Sequence, residues 1–202
     1  MKMFSVRAYR FLRIVFQIPM RIAHPIIKVS GRENIPDGPV IMCANHSAFT
    51  DPFWVIIMAK LPCLPRTMMK KELLEVPVVR WWTQKLGGFP VDREGADVNA
   101  VKTALKTLRD GEKLIVFPEG TRIRKNKKSE PHNGPVMIAN RTGVPLMPVF
   151  LSMHKQRLFS KVKVVYGEPY YPEFSSRRPS QEEMDVVTAD LMRRCYALGE
   201  EK

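Results

Sequence analysis

Val40-Ile41-Met42-Cys43-Ala44-Asn45-His46-Ser47-Ala48-Phe49-Thr50-Asp51-Pro52 is the stretch that sets the fold. Its first five residues are continuously apolar, the pattern of a strand buried on both faces. Asp51-Pro52 then reads as a helix start, with the aspartate as N-cap and the proline in the first turn. A buried strand that passes through a short polar loop into a helix is the building unit of an α/β domain.

Similar units lie on either side. Residues 26–29 form a short apolar run, followed by a turn over 33–39 dense in Pro, Gly, Asn and Asp. Residues 73–86 read as helical and end at Gly87-Gly88, after which Phe89-Pro90-Val91 is extended. The spacing of Val98, Val101, Leu105 and Leu108 predicts a helix over 97–109. Leu114-Ile115-Val116-Phe117 is a second buried strand. A helix near 135–141, an extended proline-bounded segment over 144–150 and a strand over 162–166 follow. Ser180, with Glu183 three residues on, opens a last helix reaching residue 198. The expected architecture is an α/β fold whose central sheet, mostly parallel or mixed, is covered by helices. There is no internal repeat.

The chain has 202 residues, enough for one sizeable core. We divide it into an N-terminal basic amphipathic segment, 1–25, and a globular domain, 26–202. With 33 basic and 20 acidic residues it carries +13, a charge that attracts anionic partners such as phospholipid headgroups, nucleic acid or phosphorylated substrates. No nucleic-acid motif is recognisable, and the basic residues are dispersed among apolar ones. Cys43, Cys63 and Cys195 make no metal or redox pattern and read as reduced thiols of a cytosol-facing protein.

Residues 1–32 contain Lys2, Arg7, Arg10, Arg13, Arg21, Lys28 and Arg32 and no acidic residue. The uncharged run from Ile14 to Met20 is far shorter than the roughly 20 apolar residues that a spanning helix needs. A basic amphipathic helix in the membrane interface fits, with Arg7, Arg10 and Arg13 on one side and Phe4, Phe11, Leu12 and Val15 on another. The alternative is a helix that packs its apolar side on the domain and solvates its basic side. The first arrangement places the protein on the cytoplasmic face of the cell membrane as a peripheral or monotopic protein.

His46 lies where a strand ends, the usual position of α/β active sites. Asp51, five residues later, can accept a ring N–H if the chain turns between them, fixing the tautomer and steadying an imidazolium. The same carboxylate can also cap its helix. No G-x-S-x-G elbow occurs, so the pair suits activation of a substrate hydroxyl better than covalent catalysis. At the second strand end stands Phe117-Pro118-Glu119-Gly120-Thr121-Arg122. Gly120 permits close backbone approach, Thr121 offers a hydroxyl, and Arg122 can grip a phosphate with two parallel hydrogen bonds. Arg93 and Lys70-Lys71 are further basic candidates, while Lys125, Lys127 and Lys128 read as solvated or loosely lipid-facing.

Taken together, these blocks resemble the 1-acylglycerol-3-phosphate acyltransferase, or lysophosphatidic acid acyltransferase, family. Asn45-His46 to Asp51 matches its N-H-x4-D. Gly88-Phe89-Pro90-Val91-Asp92-Arg93, Phe117 to Arg122, and Val144-Pro145-Leu146-Met147-Pro148-Val149 match three further motifs in order, across residues 40–150. The resemblance implies acyl transfer from acyl-CoA or acyl-acyl carrier protein to a lysophospholipid hydroxyl, lysophosphatidic acid being the acceptor. His46 would be the base and Asp51 its orienting partner. Arg93, Glu119, Gly120, Thr121 and Arg122 would bind the acceptor, with Lys70 reaching its phosphate. No cofactor, metal or covalent enzyme intermediate is implied.

A backbone N–H near Gly120 is the expected oxyanion donor. Pro131-His132-Asn133-Gly134 departs from the Phe-Lys many relatives carry before that glycine, leaving His132 as a substitute ligand or a surface residue. The same transfer to glycerol 3-phosphate or another lysolipid, a hydrolase using His46 on water, and a nonenzymatic basic membrane-binding protein are the competing readings.

Overall fold

The computed structural model describes residues 6–85, 87–92, 97–122, 130–152 and 157–200. Its strands are β1 (Ile27–Ser30), β2 (Ile41–Ala44), β3 (Arg66–Lys70), β4 (Gly88–Val91), β5 (Leu114–Val116), β6 (Leu146–Leu151) and β7 (Val162–Tyr166). Its helices are α1 (Val6–Ala23), α2 (Asp51–Ala59), α3 (Pro77–Lys85), α4 (Val98–Arg109), α5 (Gly134–Thr142) and α6 (Gln181–Glu200). The strands form one seven-stranded sheet in the order β1-β7-β6-β2-β5-β3-β4. Every neighbouring pair is parallel except β6 and β7. The sheet is therefore mixed and mostly parallel, with helices on both faces, as expected.

Strand alternation divides the core into two layers. Met42, Ala44, Ile115, Met147 and Val149 face α2 and Tyr9 of α1. Ile41, Cys43, Leu114, Val116 and Leu146 face the other way, toward α4, α5 and α6. All four residues of β2 are buried, which is why this central strand reads as uninterrupted apolar sequence.

Three local expectations change. β3 is a strand that its polar-ended sequence, Arg-Thr-Met-Met-Lys, does not announce. The helix expected over 73–86 divides into a 3₁₀ turn, Lys71–Leu74, and α3, because Pro77 lacks an N–H and favours the first turn of a helix. The capping box of α6 is half made. Glu183 N–H donates to Ser180 Oγ at 3.1 Å, but the Glu183 carboxylate accepts instead from the Ser175 N–H at 2.6 Å.

α1 is apolar on two opposite faces. At 3.6 residues per turn, Tyr9, Phe16 and Met20 share the face that meets the domain, where Tyr9 O–H donates to Ile56 O at 3.2 Å. Phe11, Ile14, Val15, Ile18 and Ile22 share the opposite face and are exposed, Phe11 by 66% and Ile22 by 70%. Arg7, Arg10 and Arg21 are exposed beside that stripe, whereas Arg13 is half-buried rather than grouped with them. Phe4 and the side chain of Leu12 lie outside the described residues. Among the described residues no helix is long and apolar enough to cross a membrane.

Candidate active site

Parallel pairing brings the motif loops to one edge. β2, β3, β4 and β5 all end there, at Ala44, Lys70, Val91 and Val116. Cys43 is in register with Val116, so His46 and Glu119, each three residues further on, emerge side by side. Lys70 is in register with Val91, which sets it two positions short of Arg93. Asn45 continues the ladder with its side chain, donating from Nδ2 to Leu151 O at 2.9 Å and accepting at Oδ1 from Leu151 N–H at 2.7 Å. That pair of hydrogen bonds holds the start of the His46 loop against β6.

His46 Nδ1 lies 2.9 Å from Asp51 Oδ2. The same oxygen accepts from the backbone N–H groups of Ser47, at 2.6 Å, and Ala48, at 2.9 Å. Asp51 is fully buried, and these bonds place Oδ2 against the ring. The carboxylate is turned back into the loop, so Asp51 does not cap α2. The N-cap is Thr50, which makes no side-chain cap bond. With Nδ1–H donated to a carboxylate, the neutral imidazole presents Nε2 as an acceptor. The ring packs on Phe117, with centroids 4.6 Å apart, and lines a cavity of about 340 Å³.

Apolar side chains dominate that cavity: Phe49, Phe53, Ile56, Met68, Met69 and Leu73. Lys70, Thr121 and Arg122 also line it and are exposed, so basic charge lies at a mostly apolar mouth. Lys70 Nζ stands 2.9 Å from Glu72 Oε1. Across the end of β5 a second cavity of about 680 Å³ opens between α4 and α5, sharing Met68, Phe117 and Gly120 with the first. Arg93, and with it Arg124, Lys125, Lys127 and Lys128, lies outside the described residues.

Glu119 does not face either cavity. It is buried; Oε2 accepts the His46 backbone N–H at 2.7 Å, and Oε1 accepts from the Tyr196 hydroxyl of α6. Burial raises its pKa above the ordinary glutamate value, against the lowering pull of these donors. Its geometry is that of a brace for His46, where direct acceptor binding was expected.

Gly120 has φ +64°, and a Cβ there would stand 2.5 Å from the His132 ring. The left-handed backbone favours glycine, and a larger residue would also have to displace the exposed His132 ring. His132 is an exposed side chain whose ring lies over this turn and lines the second cavity. The Gly120 N–H is given to Phe117 O at 3.0 Å and the Thr121 N–H to Glu119 O at 2.6 Å. Neither is directed at an oxyanion, because the turn consumes both. Cys43 and Cys195 are buried with thiol pKa values raised, the latter to about 12, which removes them as nucleophiles.

The site can therefore take a proton at Nε2 beside an apolar cavity with a basic rim, and that chemistry agrees with what the chain resembles. The family model described as Acyltransferase matches residues 26–152. A 1-acyl-sn-glycerol-3-phosphate acyltransferase of Bacillus subtilis is 31% identical over 177 residues, covering 85% of this chain and 87% of the relative. One from Streptococcus pneumoniae is 33% identical over 56% of this chain, which spans 41% of that relative's length. The crystal structure of the 1-acyl-sn-glycerophosphate acyltransferase of Thermotoga maritima superposes with TM-score 0.72 at 29% identity, covering 96% of this chain and 80% of that one.

Proposed function

Since the chain belongs to the acyltransferase family, we propose that it transfers a fatty acyl group from an acyl thioester to the sn-2 hydroxyl of 1-acylglycerol 3-phosphate, giving phosphatidic acid. The observation that carries the reading is the 2.9 Å contact between His46 Nδ1 and Asp51 Oδ2 at the wall of an apolar cavity. Nε2 takes the proton of the acceptor hydroxyl as its oxygen attacks the thioester carbonyl. The tetrahedral intermediate then collapses, the C–S bond breaks, and the imidazolium returns the proton to the departing thiolate. Asp51 keeps the ring oriented and stabilises its charge between these two transfers. A thioester is already activated, so the reaction calls on no cofactor, and coenzyme A or acyl carrier protein leaves as the free thiol.

Arg122 and Lys70 at the cavity rim hold the acceptor's phosphate, and Arg93 of the second motif has the same role. Thr121 contributes its hydroxyl. Gly120 contributes the shape of the turn, and Glu119 acts behind His46. Phe53, Ile56, Met68 and Met69 surround a hydrocarbon chain.

The lipid acceptor is met at the cytoplasmic face of the membrane, where the protein lies as a peripheral or monotopic enzyme. The exposed apolar stripe of α1, bordered by Arg7, Arg10 and Arg21, supports this. The test is a matrix of acyl-CoA and acyl-acyl carrier protein donors against lysophosphatidic acid, glycerol 3-phosphate and other lysolipids, with purified protein. Lysophosphatidic acid should be the best acceptor. A poor rate with it, or free fatty acid released at a comparable rate without any acceptor, refutes the proposal.

A further inference from the structure

A different part of the chain, joined to the end of α1, also exposes apolar side chains. The segment 157–160, which leads into β7, carries Leu158 and Phe159, exposed by 71% and 72%. It is fastened to the end of α1, since Phe159 N–H donates to Ala23 O at 2.7 Å and His24 Nδ1 lies 3.1 Å from Ser160 O. His24 is in turn wedged edge-on against Trp54, with ring centroids 5.4 Å apart. The turn is thus built onto the core, one residue from Ile22, the last member of the stripe. Ile26, exposed by 47%, lies on the connecting strand entry.

Phe159 has φ +62°. An exposed left-handed position ordinarily takes glycine or asparagine, because a Cβ there is strained. An aromatic ring that stays 72% exposed at such a place gains little from the folded chain, which points to a use outside it. Arg157 and Lys161 flank the pair, and residues 1–32 contribute basic residues and no acidic ones. A second copy of a chain carrying +13 would be repelled from this face, whereas an anionic surface is attracted.

We infer that Leu158 and Phe159 form a second insertion point that enters an anionic phospholipid bilayer together with the outward face of α1. Two separate anchors, one a helix and one a turn, fix the enzyme's tilt on the membrane and so the direction in which the His46 cavity opens. The inference rests on the proposed membrane role of α1.

The test is flotation with vesicles of phosphatidylglycerol and phosphatidylethanolamine, comparing wild type with Phe159→Gly and Leu158→Ser. Glycine suits φ +62°, so Phe159→Gly should melt at or above the wild-type temperature. Its vesicle partition should nevertheless fall about tenfold, because an apolar side chain no longer leaves water. Acylation of a short-chain, water-soluble lysophosphatidic acid should stay at the wild-type rate. Wild-type-like vesicle binding by both variants overturns the second anchor alone. Failure of the wild type to float overturns the membrane role of α1 with it. A shift from dimer to monomer in sedimentation, with vesicle binding unchanged, assigns the patch to a second copy and overturns the inference.

Discussion

The backbone N–H of His46 donates to the buried carboxylate of Glu119 at 2.7 Å. The catalytic loop after β2 is therefore braced from the loop after β5, and Glu119 is held from behind by the Tyr196 hydroxyl of α6. A helix distant in sequence from the His46 loop thus sets the position of the base.

Tyr196→Phe removes one donor from this chain of contacts. Removing one partner of a buried hydrogen bond costs about 1–3 kcal/mol, so the variant should lose thermal stability. It should also lose kcat several-fold at unchanged KM, because the substrate does not touch the tyrosine. Steady-state kinetics decide the point: an effect confined to KM would mean that Tyr196 acts on substrate binding.

Glu119 also makes a pH-dependent contribution. Its folded pKa is raised from 4.5, first of all by burial, so folding favours the protonated carboxyl. Its contribution is therefore full below the ordinary glutamate value and is lost as pH rises through the raised folded value. Glu119→Gln, which cannot ionise, should gain stability relative to wild type as pH increases from 4.5. Urea midpoints of both proteins across that range test the sign; a relative gain on acidification would contradict it.

Asp51→Asn keeps the size of the side chain but offers N–H donors or a weaker acceptor to three groups that need an anion. Disturbance of such an orienting carboxylate costs on the order of 10⁴-fold in kcat where a histidine base depends on it. We expect a loss of that order, with reduced melting temperature, since the Ser47 and Ala48 N–H groups share the carboxylate. A variant that keeps wild-type kcat would remove Asp51 from the mechanism.

Gly120→Ala should be destabilising, chiefly through its backbone. The left-handed backbone costs a Cβ about 1–2 kcal/mol, and the new methyl would stand 2.5 Å from the His132 ring. Adding His132→Ala removes the obstruction but not the backbone cost. The double variant should accordingly be more stable than the two single effects add up to. Strict additivity in denaturation would show that His132 does not press on this turn.

The parts of this molecule that follow local rules were legible in sequence. β2 and β5 announce themselves as apolar runs because both their faces are buried, and α4 shows its helical spacing together with Asp97, which accepts the Ala100 N–H as its cap. The site's loops were legible as motifs, since a parallel sheet gathers strand ends at one edge. Orientation was not. Nothing in Phe-Pro-Glu-Gly-Thr-Arg tells that Glu119 turns inward, and nothing near Tyr196 marks a partner 77 residues away. Asp51 met the rule for an N-cap, but bonding to the loop N–H groups and the His46 ring outweighed the helix end. β3 was hidden because an edge-side strand ending in lysine lacks both alternation and an apolar run. The two faces of α1 also needed the structure: one apolar stripe packs inward and an opposite one does not, which a count of basic and apolar residues cannot separate.

The most direct test of the account is the rate of phosphatidic acid formation from lysophosphatidic acid and an acyl thioester by purified wild type and His46→Ala. If Nε2 is the base, wild type forms phosphatidic acid and His46→Ala, folded and still floating with vesicles, loses at least about 10²–10⁴-fold in kcat. A folded His46→Ala protein that acylates lysophosphatidic acid at the wild-type rate would contradict it.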